Sequence, residues 1–113
     1  MTQIDGLLIK RVHEWARQYP AINAILLFGS RAAGTSTGKS DWDVCCIVDS
    51  SEESWYATWH YNAEEWKQGF CLAANLSPES VQFCAPTSEP VVVGVLKCCQ
   101  VLYIRSLGAA VGA

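Results

Sequence analysis

Apolar residues recur at steps of three and four from Ile4 to Tyr19, through Leu8, Val12, Trp15 and Ala16, with Lys10, Arg11, Glu14 and Arg17 between them. That spacing predicts a surface helix with one buried stripe, stopped by Pro20. The period then changes. Ile22 to Phe28 is a nearly continuous apolar run, as expected of a strand buried on both faces, and it breaks at Gly29-Ser30. Arg31 to Ser40 is rich in Gly, Ser and Thr and reads as a turn or short helix followed by a loop. A second buried strand, Val44-Cys45-Cys46-Ile47-Val48, lies between Asp41 and Asp49.

Ser50 or Ser51, followed by Glu52 and Glu53, has the form of a helix start, with acids favoured in the first turn. Trp55, Trp59, Trp66 and Phe70 fit one face of the helix that follows, ending at Gly69 or Asn75. Val81-Gln82-Phe83-Cys84 is the third expected strand. Ser88-Glu89-Pro90 opens a helix over Val91 to Gln100, and Val101 to Ile104 forms a last strand. The order helix, strand, strand, helix, strand, helix, strand predicts an α/β (α+β) fold. Its mixed β-sheet has about four strands with helices packed against it.

The chain has 113 residues, the size of a single domain, 1–113, with 106–113 a flexible Gly/Ala tail. A net charge of −3 argues against general nucleic-acid binding. No apolar run is long enough to span a membrane and no signal peptide is visible, so a cytoplasmic location is expected. The six cysteines, with Cys45–Cys46 and Cys98–Cys99 adjacent and no metal-type spacing, read as reduced core thiols. Cys45 and Cys46 should face opposite sides of their strand. His13 and His60 stand apart from other metal-ligand types and read as structural or surface residues. The five tryptophans read first as core, and an exposed subset would form an association surface, for a homodimer or another protein.

The chemistry concentrates between Leu27 and Val48. Gly29 lets the backbone approach a phosphate, Ser30 can donate to phosphate oxygens, and Arg31 can grip phosphate with a forked pair of donors. Asp41 and Asp43, two apart at the start of a strand, would share a face and could hold one or two Mg²⁺ ions together with a nucleoside triphosphate. Trp42 between them would turn to the core. Lys39, in the loop, reads as solvated.

Gly29-Ser30-Arg31-Ala32-Ala33-Gly34 through Ser40-Asp41-Trp42-Asp43-Val44 resembles the signature of the DNA polymerase β-like nucleotidyltransferase superfamily, and most closely its minimal, antitoxin-type members. The resemblance spans about Ile4 to Ile104. It implies that Gly29 and Ser30 contact a triphosphate, that Asp41 and Asp43 bind metal and are catalytic, and that a small helical HEPN-type protein is a partner. It also implies a third carboxylate on a later strand, where this chain has Gln82, an amide that cannot act as a carboxylate base. Asp49 should lie too far along its strand to replace it, and strand parity should turn Glu79 to the other face. Two readings follow: transfer of a nucleoside monophosphate to a hydroxyl, or a catalytically degenerate antitoxin module acting through a protein partner.

Overall fold

The computed structural model describes residues 5–49 and 54–105. Asp5 caps the first helix, α1 (Gly6–Ala16), its carboxylate accepting from the Leu8 amide at 2.9 Å. Strand β1 (Ile22–Phe28) runs into a single-turn helix, α2 (Gly29–Ala33), and a loop leads to β2 (Trp42–Val48). Helix α3 (Trp55–Ala74) ends at Asn75, whose φ of 59° stops it in the left-handed region. Gly69, the other expected end, lies inside α3. A Cβ there would collide with the Trp15 indole, so Gly69 lets α1 pack closely on α3. The expected start at Ser50 to Glu53 and the tail 106–113 lie outside the described residues.

A short 3₁₀ turn, Pro78–Ser80, precedes β3 (Val81–Cys84). Helix α4 (Glu89–Lys97) opens at Ser88-Glu89-Pro90 as expected and stops short of Gln100. Cys98 is already extended, and β4 (Cys99–Ile104) begins two residues earlier than its valine-centred core suggested.

The sheet order is β3-β2-β1-β4, with β1 antiparallel to both β2 and β4 and β2 parallel to β3. Helices α1 and α3 cover one face. Trp15, Trp66 and Phe70 there join Ile25, Leu27, Trp42, Val44 and Cys46 in one buried cluster. Ala24, Phe28 and Cys45 are also buried but lie outside that cluster, because they point to the second face. The adjacent cysteines of β2 therefore do face opposite ways. On the second face α4 rests against β1 and β4, seated where Gly94 meets the Phe28 ring. None of its residues is fully buried.

Six described cysteines are free, and Cys45, Cys46 and Cys71 are core thiols. Cys99 departs from that reading: it is exposed at the start of β4. No helix of the described residues is long and apolar enough to cross a membrane.

Candidate functional site

The site is assembled at the ends of three neighbouring strands. Phe28 pairs with Asp43 across β1 and β2, and Asp43 pairs with Gln82 across β2 and β3. Register partners share a face, so Gln82, Asp43 and Phe28 form one row across the sheet. Phe28 pairs on its other side with Cys99. Gln82 thus stands beside Asp43, where a third carboxylate was expected.

Immediately after Phe28 the chain turns at Gly29, with φ of 75°. A Cβ at this position would collide with Oδ2 of Asp43 and lie 3.2 Å from its Cγ. Two independent constraints therefore require glycine: a left-handed backbone, and a carboxylate held directly against it. Ser30 follows in the first turn of α2, close to this junction. Gly34, also left-handed, ends the helix, and the Thr35 amide donates to the Ser30 carbonyl at 3.0 Å. Gln100 on β4 supplies a fastening that sequence patterns did not indicate: its Nε2 donates to the Ala32 carbonyl at 3.1 Å and so anchors α2.

The loop from α2 to β2 is closed on itself. The Ser40 amide donates to the Thr37 carbonyl at 3.1 Å, and the Thr37 amide donates to Ser40 Oγ at 2.9 Å. Arg31 ties this loop back: Nη2 donates to the Ser40 carbonyl at 2.8 Å, and the guanidinium lies 4.6 Å over the Trp42 ring. Its Nε is buried without a partner. Arg31 therefore holds the residue just before Asp41 as well as presenting a cation. Trp42 is buried in the main core, as expected.

Asp41 and Asp43 are arranged less symmetrically than strand alternation implied. The strand begins at Trp42, so Asp41 precedes it and is exposed, whereas Asp43 is half-buried. Asp41 lines a cavity of about 620 Å³ with Arg31, Lys39, Ser40, Asn75 and Glu79. Asp43 lines a cleft of about 370 Å³ with Phe28, Gln82, Cys84, Pro90 and Val91. The two carboxylates still sense each other. Burial raises the Asp43 pKa above its ordinary 3.8, and the negative charge of Asp41 raises it further.

Of the other carboxylates that could fill the empty catalytic role, Glu52 and Glu53, which would need the loop after β2 to fold back, lie outside the described residues. Asp49 sits at the far end of β2, where Arg105 Nη1 approaches it at 3.8 Å and Arg105 Nη2 donates to the Ile22 carbonyl at 3.2 Å. It fastens that end of the sheet. Glu79 lies in the 3₁₀ turn and not on β3, so strand parity does not govern it, and it shares the cavity wall with Asp41. Among the described residues no group of three His, Cys, Asp or Glu side chains could hold a metal ion. Asp41 and Asp43 would offer such an ion two carboxylates. That number suits Mg²⁺, which usually keeps several waters and takes one or two carboxylates plus substrate phosphates. The raised Asp43 pKa marks a place where a cation would relieve repulsion.

The family model described as polymerase beta nucleotidyltransferase matches residues 10–105. No curated protein matches the chain. A crystal structure of a toxin–antitoxin with AMP-PNP is similar at a TM-score of 0.57 and 20% identity, over 91% of this chain and 78% of that one. A structure of the toxin–antitoxin MntA-HpeT, a mutant with two aspartates changed to glutamate, is similar at a TM-score of 0.57 and 18% identity, with the same coverage. At those identities the likeness speaks for the fold.

Proposed function

The chain belongs to the polymerase beta nucleotidyltransferase family, and from that premise we propose that it binds a Mg²⁺–nucleoside triphosphate and transfers the nucleoside monophosphate to a hydroxyl. The observation that carries this reading is the seat of Gly29 against the Asp43 carboxylate. It brings a backbone free of side-chain bulk to the carboxylate on which phosphate and metal would converge.

In this reading Gly29 and Ser30 hold the β- and γ-phosphates, while Arg31 keeps the Asp41 loop in place and adds positive charge to its wall. Asp41 and Asp43 hold one or two Mg²⁺ ions. When bound, such an ion offsets the phosphate charge and lowers the pKa of the attacking hydroxyl. The acceptor oxygen attacks the α-phosphorus in line, the bond to pyrophosphate breaks, and the hydroxyl proton leaves to water or to a substrate group. Gln82 cannot take that proton, but its amide can orient the acceptor in the cleft beside Asp43.

The toxin–antitoxin structures of similar fold support a protein partner; in this reading it is a small helical HEPN-type protein and the source of the acceptor. Gln82 beside Asp43 favours a second reading, a module that has lost transfer and acts by binding that partner.

Calorimetric titration with ATP and GTP, with and without Mg²⁺, tests the site. Metal-dependent binding is expected for the native protein and not for Asp41→Asn/Asp43→Asn. Absence of binding to folded native protein would overturn the transferase reading. Transfer that appears only in Gln82→Asp would establish the second.

A further inference from the structure

The row next to Asp43 on the second face of the sheet carries a pair of thiols that nucleotidyl transfer does not use. Cys45 on β2 is the register partner of Cys84 on β3. Register partners on neighbouring strands point to the same face, so the two thiols stand side by side. Both are free thiols.

Their access differs. Cys84 is half-buried, lines the cleft beside Asp43 and Gln82, and donates weakly from Sγ to the Val44 carbonyl at 3.3 Å. Cys45 is fully buried behind it. One thiol can therefore meet a small reagent from solvent, while the other is shielded and can meet only a neighbouring thiol, Cys84 in the same row or the nearby Cys99. Cys46 lies on the opposite face, in the main core.

We infer that Cys45 and Cys84 form a reversible disulfide linking β2 to β3, with Cys84 reacting first and Cys45 resolving. A peroxide is the simplest oxidant. The Cys84 sulfur, its proton lost to solvent, attacks one peroxide oxygen. The O–O bond breaks, leaving a sulfenic acid and a hydroxide that is protonated to water. The Cys45 sulfur then attacks the Cys84 sulfur, the S–O bond breaks, and a second water leaves with the Cys45 proton. Two thiols lose two electrons and two protons, and hydrogen peroxide becomes two waters.

The fold permits the bond. Neighbouring strands lie roughly 4.8 Å apart, within the range of about 4.4–6.8 Å between Cα atoms that disulfides span. The usual Cβ separation is shorter, about 3.8 Å, so closure must pinch the strands. A pinched bond is more readily reduced, which suits a reversible link over a permanent staple. Half-burial limits access to the Cys84 thiol, so its attack is slow and answers sustained oxidant. The consequence falls on β3. This four-residue edge strand is joined to the sheet through β2 alone, and it carries Gln82 opposite Asp43.

The test uses the full reduced chain, held folded in equimolar hydrogen peroxide for hours, then denatured, alkylated and mapped by peptide mass spectrometry. The expected product is a monomer two hydrogens lighter, with a Cys45–Cys84 linked peptide pair that dithiothreitol separates and a higher Tm without reductant. Cys84→Ser, at the more accessible position, should leave Cys45 fully alkylatable after the same exposure. Recovery of both Cys45 and Cys84 as free thiols, with oxidation confined to the exposed Cys99, would overturn the inference, as would Cys84 linked to any other cysteine.

Discussion

The two faces of the sheet are built on different terms. On one, α1 and α3 press Trp15, Trp66 and Phe70 into a continuous core with β1 and β2. On the other, α4 has an apolar sequence yet no fully buried residue, and the same face displays Asp43, Gln82 and Cys84. An apolar helix is normally buried. Here Val92, Val93 and Leu96 stay exposed while Gly94 rests on Phe28. Stability is therefore concentrated on the face that carries no chemistry, and the chemical face is free to hold a raised carboxylate and an open cleft.

The largest test of this asymmetry is Phe70→Ala. Phe70 is fully buried and meets Trp15 and Phe83 ring to ring, so truncation should cost about 3–5 kcal/mol in urea unfolding. A loss under ~1 kcal/mol would mean that the α1–α3 face is not the main source of stability. Gly29→Ala comes next. A side chain in the left-handed region, pressed on Asp43, should cost on the order of 2 kcal/mol, and calorimetry should show nucleotide binding lost with it. Full binding by this variant would detach the glycine from the site. Leu96→Ser, on the exposed side of α4, should change stability by no more than ~0.5 kcal/mol. A large loss would show that the second face is packed after all.

How legible each face was in the sequence follows from the same asymmetry. The α1–α3 face could be read because burial imposes a period: the stripe from Leu8 to Tyr19, the run Ile22–Phe28 and the aromatic spacing of α3 each state one face of one element. Gly29, Asp43 and Gln82 could be read because a turn and a strand register bring them together. Less legible were positions where local signals conflict. Gly69 has the composition of a helix end, but it serves a close approach to Trp15 that no local pattern contains. Strand alternation was extended to Asp41 and Glu79, which lie just outside β2 and β3 and so escape it. The tie from Gln100 to Ala32 spans 68 positions and leaves no local signal.

The smallest expected effect runs in the opposite direction and sharpens the comparison most. Asp43 has a pKa raised above 3.8, first by burial and then by Asp41. Below that ordinary value the carboxyl is protonated in folded and unfolded chains alike. As pH rises through the window between the unfolded and folded values, the unfolded chain releases its proton first. Stability therefore falls, and above the folded value the full penalty remains. Asp43→Asn should then melt slightly above the native protein at neutral pH, with the gap closing toward about pH 3. Mg²⁺ with ATP should reverse the order, because a ligand that binds only the folded native protein raises its Tm by mass action. Melting curves of both proteins, with and without Mg²⁺–ATP, would show the two effects separately. A gap that ignores pH would mean that the Asp43 carboxylate is not held against Gly29 and Asp41. A gap that ignores Mg²⁺–ATP would mean that its raised pKa serves no nucleotide.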